Sequence, residues 1–173
     1  MESTLKLFIP GPTHVPEHVM QSITPGQIGH RTPEFSELMS NIVSGLQKVL
    51  YTNNHIYLIS HPATGVWEMC IKNSVNKGVL HAVNGSFSSK WSLVSQECGY
   101  NMDTLEYNWG LGIKVKDIDK MLGSGKYDVF AMVHNETSTG VMSPLEPIAS
   151  LLKSKYPDII WLVDAVSSMA GSK

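Results

Sequence analysis

Four short segments of this chain combine glycine or small residues with hydroxyl, amide or carboxylate side chains, and each could contribute to a binding site. They span residues 61–65, 84–87, 134–140 and 164–168. The first precedes a predicted helix, where free backbone N–H groups and the Thr64 hydroxyl could bind an anion. Taken alone, this segment is better explained as an ordinary turn in which Thr64 caps the helix.

Asp164 is the strongest single candidate for chemistry. It follows the apolar run 159–163, which predicts a carboxylate at the end of a buried strand. Because an unpaired buried charge is costly, this carboxylate needs a cation or a hydrogen-bond donor. Metal binding would require neighbouring carboxylates or imidazoles, which residues 165–168 do not supply. Two interpretations stay open: a counter-ion to a protonated ring nitrogen, or a carboxylate that caps the following turn.

The other two segments add complementary groups. Residues 134–140 carry three hydroxyls and a carboxamide, and residues 84–87 place the aromatic ring of Phe87 at a predicted helix start. An anion-binding turn, a carboxylate, hydroxyls and an aromatic face suit a phosphorylated cofactor that contains a ring nitrogen. Pyridoxal phosphate matches this description, with the carboxylate holding the proton on the ring nitrogen.

The elements that must position these segments alternate between strands and helices. Strands are predicted at 55–60, 79–83, 101–106, 129–133 and 159–163, and helices at 33–51, 65–75, 87–97, 114–122 and 144–155. This alternation predicts an α/β fold with a largely parallel sheet. Since ligands bind beyond the carboxyl ends of such strands, the four segments should form one composite site. Residues 10–16, with three prolines, should form an extended arm.

Composition excludes several other classes of protein. The chain has 173 residues, of which 42% are apolar, enough for one domain with a sizeable core. Its net charge of -2 leaves no positive excess for a nucleic-acid backbone. The N-terminus lacks the pattern of a signal peptide, and no apolar stretch reaches membrane-spanning length. We therefore expect a cytoplasmic protein with no nucleic-acid partner, no membrane association and no metal site.

Taken in order, the motifs resemble the N-terminal part of the class V aminotransferases, which are fold-type I pyridoxal-phosphate enzymes, and most of all the serine–pyruvate and alanine–glyoxylate aminotransferases. The resemblance runs from Leu7 to Gly171 and rests on Gly11-Pro-Thr-x-Val-Pro16, His30-Arg31, Thr64-Gly65…Glu68, Asn84-Gly-x-Phe87, Trp109-Gly110, Glu136-Thr-Ser-Thr-Gly140 and Val163-Asp-Ala-Val-Ser-Ser168. It implies a three-layer α/β sandwich with a mostly parallel sheet, and a homodimer. It also implies transamination between alanine or serine and glyoxylate or pyruvate, with pyridoxal 5′-phosphate as the cofactor.

The resemblance also implies roles for individual residues. Ala63, Thr64 and Gly65 would bind the phosphate, and the ring would lie between Phe87 and Val166. Thr137 would donate to the ring oxygen, and Asp164 would pair with the ring nitrogen. Gly11, Pro12 and Thr13 would lie near the substrate. Two departures from the family pattern are visible. Pro62-Ala63 stands where Ser-Gly is usual, and Phe87-Ser88 replaces an aromatic-Gly pair.

In relatives the Schiff-base lysine lies on a later strand, so the resemblance implies that this lysine is not in the chain. Residues 1–32 would form an arm that contributes to a dimer and active site, and residues 33–173 an incomplete large domain without the small C-terminal domain. We expect the 173-residue chain to be inactive alone, with Lys173 the sole lysine after Asp164.

Two alternative functions stay open. The first is a pyridoxal-phosphate lyase or cysteine desulfurase, which would need a cysteine in a loop, whereas Cys70 and Cys98 fall on predicted helices. The second is a binding module that kept the fold without the chemistry.

Overall fold

The structure is a computed structural model that describes residues 6–9, 11–23 and 26–172. It divides into two compact units, Met1–Leu58 and Ile59–Lys173. The functional boundary predicted between residues 32 and 33 stays a prediction. Lys173, the lysine singled out above, lies outside the described residues.

In its described residues, the first unit contains two helices, α1 (Glu17–Ser22) and α2 (Pro33–Val49). Helix α2 begins where the sequence predicts, because Pro33 occupies its first turn and the Thr32 hydroxyl accepts a hydrogen bond from the Phe35 amide at 3.4 Å. The short helix α1 was not expected from the sequence. Neither helix buries any of its described residues.

The second unit is built around a parallel sheet. Its four strands are β1 (Val79–Val83), β2 (Met102–Glu106), β3 (Val129–Val133) and β6 (Ile160–Asp164), arranged in the order β2-β1-β3-β6. All three pairings are parallel. A small antiparallel hairpin, β4 (Asn135–Glu136) with β5 (Val141–Met142), follows β3 and was not anticipated. The predicted α/β fold with a parallel sheet is confirmed.

Helices cover both faces of the sheet. They are α3 (Ala63–Ser74), α4 (Ser86–Glu97), α5 (Val115–Leu122) and α6 (Leu145–Lys155). Because side chains alternate along a strand, one face of β1 and β3 packs under α5 and α6, and the other packs under α3 and α4. This arrangement gives the three layers that the resemblance to the family implies. No helix in the described part of the chain is long and apolar enough to cross a membrane.

Two predictions about strands need correction. The strand predicted at 55–60 is wrong: these residues form no ladder, and Tyr57, Leu58 and Ile59 are exposed. A strand requires a neighbour for its backbone N–H and C=O groups, and no strand in the described residues pairs with this segment. The strand predicted at 159–163 forms as β6, but it is half-buried rather than buried because it lies at the edge of the sheet.

The second face of the sheet contains a buried histidine, His81 of β1, that makes stability depend on pH. Its Nε2 lies 2.8 Å from Ser95 Oγ, and its ring meets the Trp91 ring edge-on. Burial lowers the pKa of His81 from 6.5 to about 4. The folded state therefore keeps this ring neutral down to about pH 4, whereas the unfolded chain protonates it as the pH falls through 6.5.

We expect the His81 contribution to be present above pH 6.5 and to be lost as the pH falls towards 4. The fall in pKa corresponds to about 3 kcal/mol of unfolding free energy. Urea denaturation at several pH values should show a smaller loss between pH 6.5 and 4 in His81→Gln than in wild type. The control His55→Gln, in an exposed segment, should keep the wild-type slope. Equal slopes for His81→Gln and wild type would contradict this expectation.

Candidate functional site

Three of the four polar segments meet at the carboxyl edge of the sheet. Strands β3 and β6 end side by side, with Val133 paired to Asp164, and the next amide, His134 N–H, donates to the Asp164 carbonyl at 2.9 Å. Segment 84–87, which follows β1, joins the same edge through a 2.9 Å hydrogen bond from the Ser86 amide to Ser138 Oγ. The parallel topology thus brings together segments 84–87, 134–140 and 164–168, as the sequence predicts.

The fourth segment, 61–65, reaches this edge in a way that the sequence did not predict. It follows no strand, because the predicted strand before it does not form. It is instead the start of α3, and α3 is linked to the edge by a hydrogen bond of 2.8 Å from Trp67 Nε1 to Asp164 Oδ2. Ala63, Thr64 and Gly65 form the first turn of that helix, one turn before Trp67.

Among the residues that the structure describes, two donors bind the Asp164 carboxylate. Trp67 donates to Oδ2, and the Val166 amide donates to Oδ1 at 2.9 Å. The second bond closes a turn after β6, so the capping interpretation of Asp164 describes one of its two oxygens. Asp164 is only half-buried, which leaves part of the carboxylate open to a ligand. Both interpretations from the sequence therefore remain compatible with its position.

A buried carboxylate, Glu136, holds two of the segments together. It is fully inaccessible to solvent. One oxygen, Oε1, accepts from the Phe87 amide at 3.2 Å and from Ser138 Oγ at 2.7 Å. The other, Oε2, accepts from the Ser88 amide at 2.9 Å and from Ser88 Oγ at 2.8 Å. Glu136 thereby positions two residues that are predicted to contact a ring. Phe87 is held through its own amide, and Thr137 is the next residue after Glu136 in the chain.

Burial opposes ionisation of Glu136, but the hydrogen bonds from Ser138, Ser88 and Phe87 together outweigh it. The pKa of Glu136 consequently lies below its ordinary value of 4.5. The side chain is therefore an anion at neutral pH, and its charge is satisfied by donors at the start of α4.

Gly85 and Ser88 adapt the chain to this carboxylate. A Cβ atom at Gly85 would overlap Glu136 Cγ and Cδ, so the close approach of the two segments requires glycine there. Ser88, part of the Phe87-Ser88 departure noted in the sequence, has a hydroxyl that accepts from the amides of Asn84 and Gly85 at 3.0 and 3.1 Å. This departure from the family pattern therefore supports the loop.

The two helix N-termini at this edge differ in their capacity to bind an anion. The start of α4 is already filled by the Glu136 carboxylate and the Ser138 hydroxyl. No side chain caps the start of α3, which begins with Pro62 as its N-cap residue. The positive end of a helix dipole, together with uncapped amides, attracts negative charge. Of the two, only α3 begins without a side-chain cap, which makes it the candidate for a phosphate group.

The remaining predicted residues, Phe87, Thr137 and Val166, belong to the three segments that meet at this edge. Phe87 is 45% exposed and Val166 is 75% exposed, so both present apolar surface that a ring could cover. Thr137 Oγ1 donates to Ser167 Oγ at 2.9 Å, which ties segment 134–140 to segment 164–168. The roles of Phe87, Thr137 and Val166 towards a cofactor stay predictions.

Two further predictions concern the substrate-binding residues of the N-terminal arm and the absence of a metal site. Gly11, Pro12 and Thr13 are exposed and belong to the first unit, and their position near a substrate stays a prediction. In the residues that the structure describes, no group of three or more His, Cys, Asp or Glu side chains could hold a metal ion.

Sequence reasoning missed the part that two residues play. Trp67 lies outside the four polar segments and is buried, but its N–H also binds Asp164. A buried indole N–H usually finds a partner, which is the signal that could have identified it. Glu136 was recognised only as part of a motif. A lone glutamate beside three hydroxyl residues gives no sign of burial until the partner helix is placed.

Comparison with known proteins identifies the family. A family model described as aminotransferase class V matches residues 7–173. The L-aspartate–glyoxylate aminotransferase of Paracoccus denitrificans is 35% identical over 176 residues, covering 98% of this chain and 44% of that protein. The serine–glyoxylate aminotransferase of Methylorubrum extorquens is 33% identical, covering 94% of this chain and 42% of that protein.

A solved structure has the same fold. The alanine–glyoxylate aminotransferase from Nostoc sp. superimposes with a TM-score of 0.84 at 31% identity, covering 92% of this chain and 43% of that chain. This chain therefore spans less than half the length of the relatives it matches.

Proposed function

This chain belongs to the class V aminotransferases, and from that premise we propose that the protein transfers an amino group from a small amino acid, alanine or serine, to a 2-oxo acid, glyoxylate or pyruvate. One observation carries the proposal. The uncapped start of α3 and the Asp164 carboxylate lie in one unit, joined by the Trp67 hydrogen bond. An anion-binding turn linked to a carboxylate is what a phosphorylated pyridine requires.

Pyridoxal 5′-phosphate is the cofactor that the family and its solved relatives support. The residues present fit this group, because they supply an uncapped helix start, a half-buried carboxylate and exposed apolar side chains at one edge. When bound, the cofactor supplies an electron sink for the bonds at the substrate α-carbon.

Each residue then has a task that follows from its own chemistry. Ala63 and Thr64 would bind the phosphate through their amides and the Thr64 hydroxyl, and Gly65, whose amide donates to the Pro62 carbonyl at 3.0 Å, completes the turn. Asp164 holds the proton on the ring nitrogen, because an anion beside a protonated nitrogen stabilises the charged form. Phe87 and Val166 would exclude water from the two ring faces. Thr137 would donate to the ring oxygen by turning its hydroxyl proton away from Ser167 Oγ.

The choice of acceptor follows from the relatives. The names of the three relatives share glyoxylate as acceptor and differ in donor, which is aspartate, serine or alanine. These names support glyoxylate as the acceptor in the proposed reaction. We also propose that the protein is a cytoplasmic homodimer in which Gly11, Pro12 and Thr13 lie near the substrate. None of the apolar side chains of α2 is buried, which supports a role for this helix as a surface on which a second subunit packs.

The structure favours transamination over cysteine desulfuration. Cys70 lies within α3 and Cys98 immediately follows α4, so neither belongs to the segments of the carboxyl edge. Burial raises the pKa of the Cys70 thiol, which disfavours the nucleophilic thiolate.

Binding of two related probes tests the carrying observation. We expect the 173-residue chain to bind pyridoxal 5′-phosphate at least about tenfold more tightly than pyridoxal, which lacks the phosphate. Thr64→Ala should weaken binding of the first probe only, as measured by absorbance titration. Borohydride reduction of the bound sample should label no single lysine stoichiometrically, because the four segments contain none.

The matched control is Thr104→Ala in the middle of β2, which should bind both probes as wild type does. Equal affinity of the wild-type chain for both probes would count against a phosphate site at α3. Stoichiometric labelling of one lysine, together with pyruvate formed from alanine, would show that the chain already contains the reactive amine. Binding without turnover in any longer protein that contains this chain would favour the non-catalytic alternative.

A further inference from the structure

We propose that Trp67 is a positioning residue that fixes the Asp164 carboxylate relative to the first turn of α3. The proposal rests on the proposed function, since these two groups are where the ring nitrogen and the phosphate of the cofactor would bind. Trp67 would thus set the spacing between the two polar ends of the site.

The hydrogen bond of Trp67 joins elements that are far apart in the chain. The donor and the acceptor are 97 residues apart in sequence, and the N···O distance is 2.8 Å. Trp67 follows Ala63 by four residues, which places it about one helical turn, or roughly 5–6 Å along the axis, beyond the anion-binding turn. A shift of α3 along its axis would therefore move the phosphate site and break the bond to Asp164 together.

Packing holds the Trp67 ring in one orientation. The side chain is 5% exposed and stacks on Trp91, with ring centroids 5.5 Å apart and planes inclined by 14°. On its other side, the Trp91 ring meets His81 edge-on. A ring fixed in this way delivers its N–H to Asp164 at little further cost in side-chain entropy.

The two stacked tryptophans, Trp67 and Trp91, share the same packing but differ in hydrogen bonding. Both are buried in the same apolar cluster. Among the described residues, the Trp91 indole nitrogen has no hydrogen-bond partner, whereas that of Trp67 binds Asp164. Filling this cluster therefore does not require an indole N–H, and the bond made by Trp67 serves the carboxylate.

The bond also orients the carboxylate. With Trp67 on Oδ2 and the Val166 amide on Oδ1, both oxygens are fixed in place. Removal of the indole donor leaves Oδ2 without its protein partner and allows the carboxylate to rotate. Loss of this hydrogen bond should weaken the binding of ligands that contact the Asp164 carboxylate. It should not change the affinity for ligands that make no contact with this carboxylate.

The experiment compares Trp67→Phe with Trp91→Phe, the matched control that keeps an aromatic ring in the same stack. Each variant is titrated with pyridoxal 5′-phosphate and with its 1-deaza analogue, in which a C–H replaces the ring nitrogen. We expect Trp67→Phe to weaken binding of the natural cofactor by about tenfold and to weaken binding of the analogue much less. Trp91→Phe should change the two affinities by equal factors. In an Asp164→Asn background, Trp67→Phe should cause no further selective loss.

A spectroscopic readout tests the hydrogen bond without any cofactor. The indole ¹H–¹⁵N resonance of Trp67, assigned by its disappearance in Trp67→Phe, should move upfield in Asp164→Ala because its acceptor is gone. The Trp91 resonance should move less. Retained cofactor binding with equal losses for both probes in Trp67→Phe would overturn this inference alone. A wild-type chain that binds neither probe would overturn the proposed function, and the role of Trp67 towards the cofactor with it.

Discussion

Replacement of Asp164 by asparagine should weaken binding of pyridoxal 5′-phosphate by about ten- to a hundredfold and leave the fold intact. A hydrogen bond between charged groups contributes roughly 1.5–3 kcal/mol, and a neutral amide cannot stabilise a protonated ring nitrogen. Asparagine has nearly the shape of aspartate and can still accept one of the two bonds from Trp67 and Val166. Titration of cofactor absorbance measures the affinity, and circular dichroism of the same samples measures the fold.

The 1-deaza analogue makes this expectation selective for the ring nitrogen. Wild type should prefer the natural cofactor over the analogue, and Asp164→Asn should largely lose that preference. Asp158→Asn, an exposed aspartate before the opposite end of β6, is the matched control and should keep it. In a longer protein that transaminates, turnover should fall with the same variant. An Asp164→Asn protein with the wild-type preference and wild-type turnover would remove Asp164 from its proposed role.

The second large effect is expected from Glu136→Gln, which should lower the free energy of unfolding by about 3 kcal/mol at pH 7. Both carboxylate oxygens accept hydrogen bonds from backbone N–H groups, those of Phe87 and Ser88. A glutamine side chain has one acceptor oxygen, so its NH₂ group must face one of these buried donors. The unpaired donor and the lost negative charge at the start of α4 both destabilise the folded state.

The pH dependence of this effect has a definite sign. Because the folded-state pKa of Glu136 lies below 4.5, its contribution is present above pH 4.5 and is lost as the pH falls through the lowered value. The difference in stability between wild type and Glu136→Gln should therefore be constant near neutrality and shrink in acid. Urea denaturation measures it, with the exposed Glu106→Gln as control. A variant as stable as wild type at pH 7 would contradict the structural role given to Glu136.

Several elements could be predicted closely because local pattern determines them. The run 129–133 is continuous and apolar, and the run 79–83 is apolar except for His81. Both form strands, β3 and β1, at the predicted residues because they are buried on both faces of the sheet. The start of α2 follows from Thr32-Pro33. The position of three polar segments at one edge follows from parallel topology alone.

Other features depended on which elements become neighbours. The segment 55–60 has the composition of a strand, but a strand forms only where another backbone is available to pair with it, and the described residues provide none. The run 159–163 reads as buried, yet β6 lies at the edge of the sheet and is half-exposed. The composition of a segment indicates which secondary structure it can form, and the elements packed beside it determine which one it does form.

The sequence by itself determined the α/β class, the location of the candidate site and the residue types suited to a phosphorylated pyridine. The tertiary structure decided which donor satisfies each carboxylate. Asp164 receives an indole N–H from 97 residues away, and Glu136 receives two amides from the start of α4. Such pairings depend on how α3 and α4 pack on the sheet, because a hydrogen bond requires donor and acceptor within about 3 Å. The spacing of motifs along the chain does not predict the distance between two residues that meet only after the helices have packed.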